Sequence, residues 1–500
     1  MARRTNRGTP RGGAGQDGPN LTAVGATWQP APVQDIQRIA DAALDILTTI
    51  GVSDAPGACV DVICRVGGTH RDGRLFYPRD FLLQMLQDRP KTVLLAGQSA
   101  PHDMHVGGTG AYVGTGGAAP NVVDLETGRY SPARLQDLHS AARLADALPH
   151  IHFFARSLVA QDVACPRELD IATTAASLLG TQKHVMVQAT DPSHVADIAQ
   201  ICYDIAGGAA QFRARPFLSL NINHVVPPLR LHGESMDVMA AAVRAGIPVH
   251  CNVFGQLGAS SPVTLAGSVA QTVAETLAGL GFVHALDPTA PCIAGPRPMI
   301  TDLKTGGMAG GAGEQILATG LAAQVFRHWD LPCSVIAGAT DSKLVDFQSG
   351  YEKALTIDTA IRAGANLVTQ SAGAQAALMG VSFVAMVADN DMLGAILRGS
   401  TPISVTDETL ALGAIADVVA GEGHFLGRPE TYARMRSDFL YPDVADRMGF
   451  AQWEAAGADD MATRASTRAR EILANHWPNH GPSGLAGKFG LTQQKAKDIS

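Results

Sequence analysis

The sequence is poor in charge and in aromatic rings: Asp, Glu, Lys and Arg make up 17% of it and Phe, Trp and Tyr 5%. Its formal charge of −8 leaves no surplus of Lys and Arg to build a basic face, which argues against nucleic acid as the main partner. No apolar run approaches the ~18 residues of a membrane span, and no signal-peptide core opens the chain, so a membrane is not an expected partner either. The seven cysteines are scattered without a C-x-x-C pair and read as reduced thiols of a cytoplasmic protein. No H-E-x-x-H offers a metalloprotease-type zinc site. Cys251, Cys292 and Cys333 fall on three strand-like runs, but Pro291 and Pro332 set the last two at strand starts, so no metal site is assigned.

What is present is apolar and periodic. Residues 1–30, rich in Arg and Gly, read as a disordered tail. Residues 31–147 read as an α+β extension, opening with the amphipathic stretch "VQDIQRIADAALDILTTIGV". From residue 148 apolar runs alternate with Ala- and Leu-rich helical stretches. The runs are 150–157, 183–189, 216–223, 247–253, 290–295, 332–338, 366–373 and 382–390. Continuous apolar strands alternating with helices imply a parallel sheet covered on both faces. Eight of them predict a (β/α)8 TIM barrel over 148–420. An open doubly wound sheet is the rival, yet none of these runs is followed by G-x-G-x-x-G. Residues 421–500 read as a C-terminal helical extension wrapping the outside or rim.

Active sites of this fold lie where the strands end, and several polar groups fall there. After run 332–338 come Asp341, Lys343, Asp346 and Gln348. Asp341 either neutralises a cationic ligand or caps a turn. Lys343 reads as a Schiff-base lysine, a carboxylate anchor or a solvated charge. Gln348 binds substrate or satisfies the start of a helix. Asn223 and His224 close run 216–223 beside a Pro-Pro turn, Phe254 follows 247–253, and Asp389 ends 382–390. The loop "GGMAGGAGE", with Gly306, Gly307, Gly310 and Gly311, lacks the G-K-[ST] of a phosphate loop and reads as a lid over the mouth.

Three stretches, "ITDLKTGGMAGGAGEQ", "GATDSKLVDFQSGYEKAL" and "LVTQSAG", resemble the trimethylamine methyltransferase family, as do "VVDLETGRYSPARLQDLHSAARLADAL" and the later "RMRSDFLYPDVADRMGF". The resemblance runs in order over roughly residues 31–478. It implies a barrel that moves a methyl group from a methylamine to the cobalt of a corrinoid (cobalamin) carried by a separate small protein. Family members acting on trimethylamine carry pyrrolysine; this chain has none and so resembles the non-pyrrolysine branch, with glycine betaine-like quaternary amines as implied substrates. A homo-oligomer is also implied. The chain departs from the family at "DNDM" after the last run and at "GRPETY".

Demethylating a quaternary ammonium releases a neutral amine, so neither a proton donor nor a bound metal is required, and no catalytic residue is assigned beyond positioning. On this reading Asp341, Asp346, Asp389, Phe154, Phe254 and Phe347 are candidates for the cation. Lys343, Gln348, His224 and Asn223 are candidates for a carboxylate end. Two other readings stay open: a Schiff-base aldolase using Lys343, and a quaternary-amine-binding protein without turnover.

Overall fold

The computed structural model describes residues 23–491 apart from 422, 479, 482 and 483. Eight parallel strands close into a barrel: β1 (Tyr112–Val113), β2 (Phe153–Ala155), β3 (His184–Val187), β4 (Leu218–Asn223), β5 (Val249–Gln256), β6 (Cys292–Met299), β7 (Ser334–Ile336) and β8 (Leu367–Thr369). Ladders join β2 through β6 in order, and β7 to β8 to β1. Single bridges, Ala294 to Cys333 and Gly114 to Phe153, seal the two remaining seams.

Each strand is followed by a helix on the outside: α1 (Leu135–Ala147), α2 (Pro166–Gly180), α3 (His194–Ala206), α4 (Gly233–Ala245), α5 (Leu265–Leu286), α6 (Gly313–His328), α7 (Phe347–Ala363) and α8 (Phe383–Gly399). The fold is a TIM barrel. Helix α5 is long and apolar enough to cross a membrane, but it is almost wholly buried in the barrel wall, packed on β5, β6, α6 and the helix Val33–Asp45.

The expected strand count of eight is met with a frame error of one. The run 382–390 is helical, not the eighth strand. Ser382 caps α8 by accepting from the Ala385 amide at 3.1 Å, and Phe383, Met386 and Val387 bury at helical spacing. A short apolar run fits a buried strand or a buried helix equally, which is why it misleads. The strand overlooked is β1, ahead of the expected barrel start at residue 148. It is two residues long and sits among glycines, one of which, Gly114, lies so close to the Phe153 ring that no side chain fits.

Below the barrel, the antiparallel hairpin Thr92–Leu95 with Met104–Gly107 closes the N-terminal end. Its Val93, Leu95, Met104 and Val106 pack with Phe153, Met186, Ile293 and Leu367 from the strands. The expected disordered tail extends to residue 30. Residues 1–22 lie outside the described residues, whereas 23–30 are strapped onto the barrel, with the Val24 amide donating to Ser400 and the Trp28 amide to Arg362.

At the other end of the chain, α9 (Met461–Asn475) packs on α8 and α1. Arg143 of α1 donates to the carbonyls of Leu473 and His476 at 2.6 Å each. Between α8 and α9, the stretch 401–437 is largely exposed, with Val418 its one buried described residue.

Candidate functional site

Side chains alternate in and out along each strand, and the inward row of β3–β5 is polar at mid-height. His184 Nε2 lies 2.8 Å from Ser219 Oγ, which lies 2.9 Å from His250 Nε2. Burial holds the His184 imidazole down to about 4 and His250 well below its ordinary range, so both are neutral at physiological pH. These rings form a floor.

Above the floor a cavity of about 210 Å³ opens at the C-terminal ends, lined from all eight strands or the turns that follow them. Asn221 and Asn223 come from β4, Phe254 from β5, Arg297 from β6 and Thr369 from β8, while Arg156 follows β2 and Gln188 follows β3. Asn252, one turn of the pleat below Phe254, donates to Asn221 Oδ1 at 3.2 Å.

Two guanidinium groups dominate the electrostatics. Arg297 is nearly fully buried, and its Nε and Nη2 have no partner among the described residues; Arg156 Nε is likewise unpartnered. Burial pushes Arg297 down to about 10 and Arg156 below its ordinary value, in the latter case opposed by Asp170. At neutral pH both remain protonated, and no residue lining the cavity is acidic. The cavity therefore holds two positive charges and unfilled donor sites, the environment of an anionic group.

The roof is strained. Gln370, at the mouth, is left-handed (φ 62°), and so are three residues in succession, Ala376, Ala377 and Leu378 (φ 53°, 52° and 69°). The Ala376 amide donates to Ser342 at 2.7 Å and the Ala377 amide to Thr340 at 2.8 Å, which places Leu378 against the cavity.

Of the residues singled out in the sequence, Asn223 and Phe254 line the cavity. The three carboxylates do not, and each is occupied elsewhere. Asp341 accepts from the amides of Gly310 (3.0 Å) and Gly311 (3.3 Å), pinning the glycine loop to the end of β7. Half-burial pushes its pKa up, and those two amides oppose the shift. Asp346 caps α7, accepting from the Ser349 amide at 2.9 Å. Asp389 is buried on α8, 2.7 Å from Lys353 Nζ on α7, and accepts from the Gly373 amide at 2.8 Å.

The remaining candidates also point away. Lys343 is exposed and donates to its neighbour Asp341 O at 2.7 Å, which removes the basis for a buried Schiff-base lysine. Gln348 donates to Glu352 at 2.8 Å. Phe347 is 85% exposed and leans on Tyr351. Phe154 lies in the layer between the barrel and its helices. His224 packs beneath α5 with Nε2 3.0 Å from Glu275 O, and burial holds it down to about 4. In the glycine loop, Gly306 turns with φ 75° and Gly307 O accepts from the Asp302 amide at 2.8 Å, while Gly310 and Gly311 sit too close to Ala339 and Glu352 for any side chain.

A family model described as trimethylamine methyltransferase matches residues 1–483. The chain belongs to that family. A trimethylamine methyltransferase of Desulfitobacterium hafniense (strain DSM 10664 / DCB-2) is 28% identical over 470 residues, 93% of each chain. A glycine betaine methyltransferase of Desulfitobacterium hafniense (strain Y51) is 26% identical over 443 residues, covering 89% of this chain and 92% of the other. The trimethylamine methyltransferase of Methanosarcina barkeri is 31% identical over 347 residues, 68% of each. Among solved structures, the Methanosarcina barkeri monomethylamine methyltransferase superposes with a TM-score of 0.53 at 12% identity, covering 89% of this chain and 88% of that one, which establishes a shared fold.

Proposed function

We propose that this chain is a methyltransferase that moves a methyl group from a carboxylate-bearing quaternary amine, of the glycine betaine type, to the Co(I) of a corrinoid held by a separate protein. The observation that carries the substrate assignment is Arg297, buried at the cavity wall with two nitrogens unpartnered, in a cavity that also holds Arg156 and no acid. A trimethylamine or tetramethylammonium ion brings a positive charge with nothing to pair these guanidiniums. A betaine brings a carboxylate to them, and its ammonium end then meets Phe254, the one aromatic ring in the lining, for about 0.5–2 kcal/mol of cation–π attraction.

The chemistry agrees with this lining. When the methyl carbon passes to cobalt, the C–N bond breaks with its electron pair remaining on nitrogen, and the departing tertiary amine is neutral. No proton has to be delivered, and the cavity's amide, hydroxyl and guanidinium groups supply none. The chain's own contribution is to fix the carboxylate end at Arg297 and Arg156, so that the methyl is presented toward the open mouth in an attack-ready geometry. Seven free cysteines support a cytoplasmic setting.

The test is methylcobalamin formation, followed by absorbance, from cob(I)alamin and then from a corrinoid protein of the same source. Glycine betaine and other betaines should serve as donors, and trimethylamine and tetramethylammonium should not. In Arg297→Met, KM for the betaine should rise by roughly 10- to 100-fold, since a hydrogen bond to a charged group contributes about 1.5–3 kcal/mol. Equal turnover of tetramethylammonium, or an unchanged KM in the variant, would overturn the reading.

A further inference from the structure

The cavity under the barrel mouth is layered, and the layering limits the length of ligand it takes. Phe254 and Arg297 face each other across β5 and β6 at one level. Met299 stands two residues further along β6, a step of about 7 Å toward the mouth. There the lining turns apolar: Met299, Ile336 and Ala339 are buried together, with Phe254, Met308 and Leu378 packed against them. A carboxylate held at Arg297 therefore has an apolar ceiling above it, and the rest of the ligand must fit between the two. At the ~0.74 packing density of protein interiors, the 210 Å³ cavity holds about 155 Å³ of ligand, roughly eight to ten non-hydrogen atoms. Glycine betaine is of that size. δ-Valerobetaine, three methylenes longer between carboxylate and ammonium, exceeds it.

Leu378 is the member of that ceiling that lines the cavity without belonging to a barrel strand or to the first turn after one. Its height is set by backbone on both sides. The Ala376 and Ala377 amides are anchored on the carbonyls of Ser342 and Thr340, and the Met379 carbonyl accepts from Asn121 Nδ2 at 2.9 Å. None of these bonds uses the leucine side chain, so that side chain can be exchanged while the turn stays tethered. The isobutyl group reaches across to a wall of bare backbone, where a Cβ added at Gly117 would lie 3.3 Å from Leu378 Cδ2. Because Leu378 is left-handed (φ 69°), glycine at this position would remove the side chain and the conformational penalty together.

Resting on the betaine reading above, we propose that Leu378 is a specificity-determining residue, whose side chain sets the longest spacer between carboxylate and ammonium that the cavity admits. Calorimetric titration of the full chain with glycine betaine, γ-butyrobetaine and δ-valerobetaine should show wild-type affinity falling by roughly tenfold or more along the series, the scale of a misfitting methylene in a fixed pocket. In Leu378→Ala and Leu378→Gly, δ-valerobetaine should gain about tenfold while glycine betaine weakens. Leu378→Phe should weaken glycine betaine as well, by filling its space. A second series separates this proposal from the substrate reading: tert-butyl-terminated carboxylates of the same lengths, in which carbon replaces the ammonium nitrogen. A length cutoff that appears in the tert-butyl series alone, and is relieved in Leu378→Ala and Leu378→Gly, would uphold the role of Leu378 and overturn the quaternary-amine reading. Betaines that bind with a cutoff no substitution at Leu378 moves would overturn the role and leave the substrate reading standing. Equal wild-type affinity along a series, or no binding of either series to any of the four proteins, would overturn the role too.

Discussion

Glu275→Gln should remove a pH-dependent penalty from the stability of the barrel. Glu275 sits on α5 behind the turn that follows β4. Its Oε1 accepts from the Leu229 amide at 2.7 Å and from Gln271 Nε2 at 3.1 Å, and its Oε2 is buried with no partner among the described residues. Burial outweighs those two donors and pushes the carboxyl from 4.5 up to about 7. Below pH 4.5 folded and unfolded chains both hold the proton, and the group costs nothing. Between 4.5 and 7 the unfolded chain ionises while the folded one does not, so stability falls as pH rises, and above 7 the full penalty applies. The gap between the two values corresponds to about 3 kcal/mol. Glutamine keeps the acceptor for Leu229 and cannot ionise. Urea midpoints of wild type and variant should therefore coincide near pH 4.5 and separate by up to about 3 kcal/mol in the variant's favour at pH 8. Other titrating groups, such as His224, are common to both proteins and drop out of the difference. Parallel midpoint-against-pH curves for the two proteins would refute the reasoning. Methyl transfer should be unaffected, since Glu275 does not line the cavity.

Other consequences are equally direct. Lys353→Met strands the buried Asp389 carboxylate and should cost about 3–5 kcal/mol in a denaturation series, part of which Lys353→Met/Asp389→Leu recovers; a neutral single variant would mean that Asp389 is not held as a buried ion. Asp341→Ala removes the acceptor of two loop amides, so Gly310 and Gly311 should exchange hydrogen faster by roughly one to two orders of magnitude, for about 1–3 kcal/mol lost locally, with little change in global stability. If Asp341→Ala instead unfolds the barrel, the carboxylate supports more than the loop.

The barrel was legible because its strands lie in short, largely apolar runs separated by helix-length spacers. The frame was not, because β1 is two residues among glycines and the run 382–390 carries no feature that distinguishes a strand from a buried helix. The polar cluster after β7 was visible as a strand-to-helix handover, and it does lie there. Its targets were invisible, since Asp341 binds backbone amides of a loop 30 residues earlier and Asp346 binds an amide of its own helix. Arg297 was missed for a specific reason. In "AGPRPMI" the flanking Pro296 and Pro298 read as the end of a strand, whereas β6 runs through them to Met299. A cation inside an otherwise apolar strand is the signal that could have found it.

The left-handed turn at 376–378 joins parts of the mouth that are far apart in the chain. Its two anchoring carbonyls, Thr340 and Ser342, flank Asp341, whose carboxylate holds the glycine loop. Left-handed non-glycine residues each carry roughly 1–2 kcal/mol of conformational cost, so the turn keeps its shape only while those carbonyls hold it. Roof turn and glycine loop thus share one three-residue anchor, 340–342, so a substitution there bears on both at once.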